Sequence, residues 1–169
     1  GLFNISQPQN GTEGRVEGFE INYSHAFRFL PGPLKNLGVQ TNYTYADSKT
    51  PLIDGLTGAR LPLPGLSKNS YSLVGYYDDG RFSTRLAYTH RSSYLVQVQQ
   101  AVNGGSRYNN AYGQLDASAS FDIDDNFRLT FEAQNLTKSI VRQYDGVTTR
   151  LSNSALEDQR FYFGVAANF

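Results

Sequence analysis

Cysteine, methionine and tryptophan are absent from the chain, and histidine occurs only twice. Without cysteine there is no disulfide, no thiolate metal site and no cysteine nucleophile. Charge is balanced, with 15 Lys and Arg against 15 Asp and Glu, which excludes the basic surface of a nucleic-acid-binding domain. No run approaches the ~20 apolar residues of a membrane-spanning helix, and no signal peptide is visible. The missing initiator methionine predicts a processed product or a fragment of a longer protein.

Aromatic residues, by contrast, are plentiful, with 12 Tyr and 11 Phe. Apolar and polar residues alternate along most of the chain, which is the pattern of β-strands. Strands are predicted at 14–29, 37–48, 68–78, 81–95, 114–123, 127–134 and 161–169, and residues 1–9 resemble the end of another strand. The sequence therefore predicts an all-β protein with about seven to eight antiparallel strands.

Short and long connections alternate between these strands. Segments 30–33, 78–80 and 122–126 are short, and their Pro-Gly and Asp-Gly steps suit tight hairpins. Segments 49–67, 96–111 and 138–158 are long. Outer-membrane barrels have short periplasmic turns and long extracellular loops. The pattern therefore predicts that the long segments lie outside the cell and that the last strand ends in the periplasm.

The apolar face of the predicted strands carries Ala and Leu at mid-strand and Tyr and Phe toward the ends. Aromatic girdles at two membrane interfaces have this distribution. We therefore predict an up-and-down transmembrane β-barrel. About eight strands would make a small, filled barrel, whereas the largest transporters have about 22. A soluble β-sandwich also alternates in this way, so three architectures stay open at this point.

Ten short motifs follow one another along the chain. They are QPQNG (7–11), VEGFE (16–20), LPGPL (30–34), LGV (37–39), NYTY (42–45), LPGLSK (63–68), RLAY (85–88), RSSY (91–94), NLT (135–137) and QRFYFGV (159–165). In this order and spacing they resemble the C-terminal end of TonB-dependent outer-membrane receptors. The resemblance is strongest to the subgroup found in xanthomonads, caulobacters and marine proteobacteria.

The resemblance implies that residues 1–169 are the C-terminal part of a receptor barrel of about 22 strands, without the plug domain. It implies a non-enzymatic transporter of the bacterial outer membrane, without a cofactor. The implied partners are the receptor's own plug domain and remaining strands, the TonB–ExbB–ExbD energising complex acting through a missing N-terminal part, the outer-membrane assembly machinery and the lipid bilayer. Because the subgroup is often associated with carbohydrates, an oligosaccharide is the expected substrate. A ferric siderophore and a small structural or adhesive barrel are the alternatives.

Polar residues of the predicted strands are expected to face the barrel lumen and the plug, because charged side chains there avoid hydrocarbon. This set contains Glu20, Asn22, Gln40, Asn42, Arg85, Asp116, Arg128, Glu132 and Gln134. Within it, Arg128 and Glu132 are candidates for salt bridges that anchor the plug. The simpler alternative is a wet wall in contact with the plug.

Ligand contacts are expected in the long loops, because loops on a rigid scaffold carry function. Two of these loops combine aromatic rings with polar neighbours. One contains Arg107, Tyr108, Asn109 and Tyr112, and the other contains Arg142, Tyr144 and Asp145. Rings can stack on the apolar face of a sugar while polar groups bond its hydroxyls. The alternative is that these are ordinary loop residues and interface tyrosines.

No catalytic or metal-binding residue is assigned. His90 lies near Ser92 and Ser93, but a hydrogen-bonding role at the membrane interface explains it more simply than general-base chemistry does. The acidic segment 122–126 lacks the Gly and the distal Glu of a calcium-binding EF-hand loop, and we interpret it as a periplasmic turn.

Phe169 ends an alternating strand and resembles the terminal aromatic signal that outer-membrane assembly machinery recognises. An unpaired strand edge is a plausible handle for such recognition. Deletion of Phe169 from the full-length protein is therefore expected to reduce its assembly into the membrane.

Overall fold

The computed structural model describes residues 13–98 and 105–167. The strands in these ranges are β1 (Arg15–Ala26), β2 (Leu37–Lys49), β3 (Asn69–Asp78), β4 (Phe82–Arg91), β5 (Tyr94–Gln97), β6 (Arg107–Asn109), β7 (Tyr112–Asp122), β8 (Phe127–Gln134), β9 (Ile140–Asp145), β10 (Leu151–Leu156) and β11 (Arg160–Ala167). A short 3-10 helix, Gly32–Asn36, connects β1 to β2. Across the two described ranges, no helix has both the length and the apolar character needed to span a membrane.

The main sheet contains seven strands in the order β1-β2-β3-β4-β7-β8-β11. Every neighbouring pair is antiparallel, which confirms the predicted all-β, up-and-down architecture. The strands β1 and β11 are the two edges, and within the described residues they do not pair with each other. The sheet is therefore an open arc.

Acidic side chains hold the short turns between these strands. Asp79 Oδ1 accepts hydrogen bonds from the backbone N–H groups of Arg81 and Phe82 at 3.0 and 2.7 Å. These two bonds lower the pKa of the Asp79 carboxyl. The next residue, Gly80, has a φ of 91°, which a residue with a side chain adopts only with strain. Asp124 forms the same kind of turn before β8, at 2.9 Å from two backbone N–H groups.

The two faces of the main sheet differ in chemistry. Residues directly opposite each other in a sheet point to the same side, so the strand registers assign each residue to a face. The five charged residues predicted to face the lumen share one face: Glu20, Arg85, Asp116, Arg128 and Glu132. That these residues face the lumen and the plug stays a prediction.

The opposite face is apolar and uncovered. Leu73 and Leu86 lie at its middle and are each 50% exposed, and Phe163 is 82% exposed. Aromatic contacts on this face include Phe19 with Tyr45 at 5.5 Å and, at mid-strand in β8 and β11, Phe131 with Phe163 at 4.9 Å, so the aromatic rings are not confined to the strand ends. Among the described residues, only Leu61, Val74, Leu95 and Ala133 are buried hydrophobic residues. A continuous apolar face of this size is not stable against water, whereas hydrocarbon solvates it.

A second sheet, of order β10-β9-β6-β5, is built from the long loops. The prediction of one strand over 81–95 was wrong, because β4 ends at Arg91 and β5 begins at Tyr94. Ser92 still bonds to Asn69 at the end of β3, and Arg91 Nε donates to Ser67 Oγ at 2.8 Å. The chain therefore leaves the main sheet here and enters the loop sheet.

Candidate ligand-binding site in the outer loops

Strands β6 and β9 contain six of the seven residues that the sequence selected for ligand contact, and four of the six form two directly opposite pairs. Arg107 pairs with Asp145, and Tyr108 pairs with Tyr144. The two tyrosine rings stack, with their centroids 5.3 Å apart and their planes 10° from parallel. The two tyrosines are 36 residues apart in sequence, so two separate loops form one aromatic surface.

Arg107 and Asp145 form an ion pair across the same two strands. Arg107 Nε lies 2.9 Å from Asp145 Oδ1, and its terminal nitrogen lies 3.3 Å from Oδ2. Hydrogen bonding to Asp145 raises the pKa of the Arg107 guanidinium. Because Asp145 is only 2% exposed, its carboxylate supports the loop sheet and is not presented to a ligand in solution.

The other three predicted residues are not members of these two pairs. Tyr112 is the first residue of β7 and pairs with Arg91 in the main sheet, so it is not part of the β6–β9 pair. Arg142 has an exposed side chain in β9, and its carbonyl accepts a hydrogen bond from Asn110 N–H at 2.8 Å. Asn109 is buried and its Nδ2 donates to the Tyr94 hydroxyl at 2.6 Å.

Asn109 also belongs to a polar row that the sequence did not predict. The registers align Tyr94, Asn109, Gln143 and Asn153 across the four loop strands on one face. Asn109 Oδ1 is buried and has no hydrogen-bond partner among the described residues. An amide oxygen in this position can accept a hydrogen bond from a hydroxyl group. Because Asn109 and Gln143 follow and precede Tyr108 and Tyr144 directly in regularly paired strands, the row lies on the face of the loop sheet opposite the tyrosine stack.

Asp54 joins the three long loops, and sequence analysis missed it. Its Oδ1 accepts from the backbone N–H of Thr57 at 2.8 Å and of Leu56 at 3.1 Å, and its Oδ2 accepts from Ser106 N–H at 2.9 Å. Ser106 O in turn accepts from Gly146 N–H at 2.8 Å. We call this connection the loop clamp: Asp54, Ser106 and Gly146. A signal was present in the sequence as Asp54-Gly-Leu-Thr57-Gly, since Asp and Gly favour such side-chain-to-backbone turns.

The environment of the loop clamp favours a charged carboxylate and neutral tyrosines. Burial acts to raise the pKa of Asp54, but the hydrogen bonds from Ser106 and Thr57 outweigh it, so this pKa lies well below its usual range. Burial raises the pKa of Tyr108, and the nearby charge of Asp54 adds to that increase. Burial likewise raises the pKa of Tyr144. Both rings therefore remain neutral stacking surfaces at physiological pH.

We expect the loop clamp to persist in acid to well below pH ~4, the ordinary pKa range of Asp. A group whose pKa is lowered by folding stabilises the fold above its unfolded pKa, and this stabilisation is lost as the pH falls through its folded pKa. Pepsin cleavage of the outer loops, followed from pH 5 to 2, measures this directly. Loss of protection near pH 5, or the same acid profile in the Asp54→Asn variant, would contradict the assignment.

Comparison with known families decides the identity of the barrel. A family model described as TonB dependent receptor-like, beta-barrel, matches residues 1–136. The chain belongs to the TonB-dependent receptor family. No curated protein and no solved structure matches the chain significantly. The predicted family is thereby confirmed, whereas the resemblance to one subgroup stays a prediction.

As a TonB-dependent receptor barrel, the chain is part of an outer-membrane receptor and transporter, and the family consists of transporters rather than enzymes. The family context implies a plug domain and an interaction with TonB. The apolar face of the main sheet then contacts lipid. That the long loops and their sheet lie at the extracellular end stays a prediction from the short periplasmic turns of barrels of this class.

Proposed function

We propose that residues 1–169 form the C-terminal part of the barrel domain of a receptor for TonB-energised uptake of an oligosaccharide. The observation that carries the substrate class is the Tyr108–Tyr144 stack, which shares its face of the loop sheet with the exposed side chain of Arg142. Sugars present an apolar ring face and many hydroxyls, and this surface offers aromatic planes together with the tyrosine hydroxyls and a guanidinium group. The ion pair and the loop clamp hold this surface in place.

The edges of the main sheet support the assignment to a larger barrel. Strands β1 and β11 each have one side without a partner in the described residues. In hydrocarbon, unsatisfied backbone groups cost several kcal/mol each, so only closed barrels are stable. Further strands of the receptor would pair with both edges and close the barrel around the plug domain.

The charged residues of the polar face differ in their availability to the plug. Arg128 is paired with Asp122 on the same face, with one nitrogen–oxygen distance of 2.8 Å. Asp116 accepts hydrogen bonds from Gln114 and from Asn135 N–H, both at 2.8 Å. Local partners therefore engage both charges. Among the predicted anchors, Glu132 is the better candidate for a contact with the plug, because no salt bridge within the described residues uses it.

Phe169 lies outside the described residues. Its proposed role as a signal for the assembly machinery stays a prediction, and deletion of the residue in the full-length receptor is the test. The partners proposed for the energised step are TonB, ExbB and ExbD.

Alanine in place of Tyr108 or Tyr144 should lower oligosaccharide affinity by about threefold to tenfold, because a stacked aromatic contact contributes about 0.5–1.5 kcal/mol. Phenylalanine at the same positions should retain most of the affinity. The measurement is calorimetric titration of the full-length receptor in detergent with maltohexaose, xylohexaose and chitohexaose. Tyr112→Ala is the matched control, since Tyr112 is outside the stack. Binding of a ferric siderophore and of none of the three sugars would overturn the proposed substrate class.

A further inference from the structure

The polar face of the main sheet is divided into two chemically different parts. On β1, β2 and β3 the middle of this face carries uncharged side chains that can form hydrogen bonds. We call this part the neutral strip: Asn22, Ser24, Gln40, Asn42, Ser70 and Ser72. On β7, β8 and β11, and at one position of β4, the same face carries both positive and negative side chains. We call this part the charged strip: Arg85, Asp116, Asp122, Arg128, Glu132 and Arg160. The same wall therefore has two different surfaces.

Charges at the margins of the neutral strip are held by hydrogen bonds to neutral groups. Glu20 accepts hydrogen bonds from Asn42 Nδ2 at 2.5 Å and from Asn22 Nδ2 at 3.3 Å. Arg91, at the extracellular end of β4, donates to Ser67 and to Gly65 O and covers the ring of Tyr94. These contacts fix the positions of Glu20 and Arg91 without neutralising them, and the side chains between the two charges are amides and hydroxyls.

Two cavities follow one another along the neutral strip. One of about 390 Å³ is lined by Asn22, Ser24, Gln40, Asn42 and Ser72. A second cavity, of about 280 Å³, shares Asn42 and Ser72 and extends across β3 and β4 to Arg91 and Tyr112, so that its far end is charged. Together they form a shallow path on the wall. Within the described residues, no hydrogen bond uses the side chain of Gln40 or Ser72, so both are available to a solute.

We propose that the neutral strip is the part of the barrel wall along which the solute moves, and that the charged strip is the part on which the plug domain stays docked. The solute is of the neutral, polyhydroxylated class, because amides and hydroxyls both donate and accept hydrogen bonds, whereas unpaired fixed charges select for ions. This inference rests on the proposed function. It adds the position of the path and the residues that select for a neutral solute.

The decisive comparison is between the same substitution on the two strips. The assay is uptake by the full-length receptor in energised cells, with radiolabelled maltohexaose, xylohexaose or chitohexaose, whichever the receptor binds. Gln40→Glu should slow this uptake by about threefold to tenfold, because it removes the equivalent of one or two hydrogen bonds. Gln134→Glu, on the same face but beside Glu132 and Arg160, should leave uptake within about twofold. Binding to the cell surface without energy should be unchanged in both variants.

A second variant covers the case in which Gln40→Glu fails to assemble. Gln40→Ala combined with Ser72→Ala removes both hydrogen-bonding groups without adding charge, and uptake should fall while the plug remains protected from protease. Release of the plug in this variant would mean that the neutral strip is a plug contact, and the inference would be wrong. Equal uptake by Gln40→Glu and Gln134→Glu would also overturn it, without affecting the sugar proposal. Binding of none of the three sugars would instead overturn the sugar proposal and the inferred solute class together.

Discussion

Arginine in place of Leu86 should destabilise the receptor in the membrane by ~2–4 kcal/mol, the cost of an Arg at the middle of a lipid-facing barrel strand. Leu86 lies at mid-strand in β4 on the apolar face and is 50% exposed. An arginine there would place a charge in hydrocarbon without a partner. The measurement is the free energy of unfolding in lipid vesicles from urea titration, together with the fraction of receptor that assembles in cells.

The neighbouring residue supplies the control for this experiment. Ala87 points to the opposite side of the same strand and lies directly across from Asp116. Ala87→Arg adds the same side chain on the polar face, near a carboxylate, and should cost less than ~1 kcal/mol. Equal destabilisation by the two arginines would show that both faces meet the same medium, which the assignment of the apolar face to lipid does not allow.

Alanine in place of Asp54 should release the outer loop 49–67 from the two loops that β6 and β9 hold together, and reduce ligand affinity by about tenfold or more. The substitution leaves the buried N–H of Ser106, and those of Leu56 and Thr57, without their acceptor. Each buried donor without a partner costs ~1–3 kcal/mol. Amide hydrogen exchange of the full-length receptor should show fast exchange in segment 49–67 and at Ser106, whereas exchange in the main sheet stays unchanged.

The matched control for Asp54 is Asp124. Its carboxylate also accepts two backbone N–H bonds, but it holds the short turn between β7 and β8. Asp124→Ala should accelerate exchange in that turn and leave the outer loops and the affinity unaffected. Asp54→Asn retains one amide oxygen and should give an intermediate loss. If Asp54→Ala accelerated exchange only in its own loop, the loop clamp would not exist.

The main sheet could be predicted because its local pattern and its environment agree. Each of the seven strands has one face toward an apolar medium and one toward a polar medium, so alternation recurs in every segment. The end of β4 could not be predicted. Ser92 and Ser93 continue the strand pattern in sequence, and only the contacts of Arg91 with Ser67 and Tyr94 show where the chain leaves the sheet.

The sequence identified the residue types of the candidate site, but not how the loops bring these residues together. Tyr108 and Tyr144 were selected because aromatic rings with polar neighbours suit a sugar. Their stacking depends on the pairing of β6 with β9, and β6 has only three residues, too few for a periodic pattern. Asp54 illustrates the same limit, since its local turn was visible in the sequence and its bond to Ser106, 52 residues away, was not.

The most direct test of the central claim is the pairing of β1 and β11 in the full-length receptor. Residues 1–169 contain no cysteine, so introduced pairs in this part of the chain are unambiguous. A pair at positions 22 and 42, which face each other in β1 and β2, should crosslink, because opposite Cβ atoms in a sheet lie within ~5.5 Å. Pairs that combine positions 17–25 of β1 with positions 161–167 of β11 should not crosslink at any register. Efficient crosslinking between β1 and β11 would mean a closed small barrel and would contradict the account of this chain as an arc of a larger transporter.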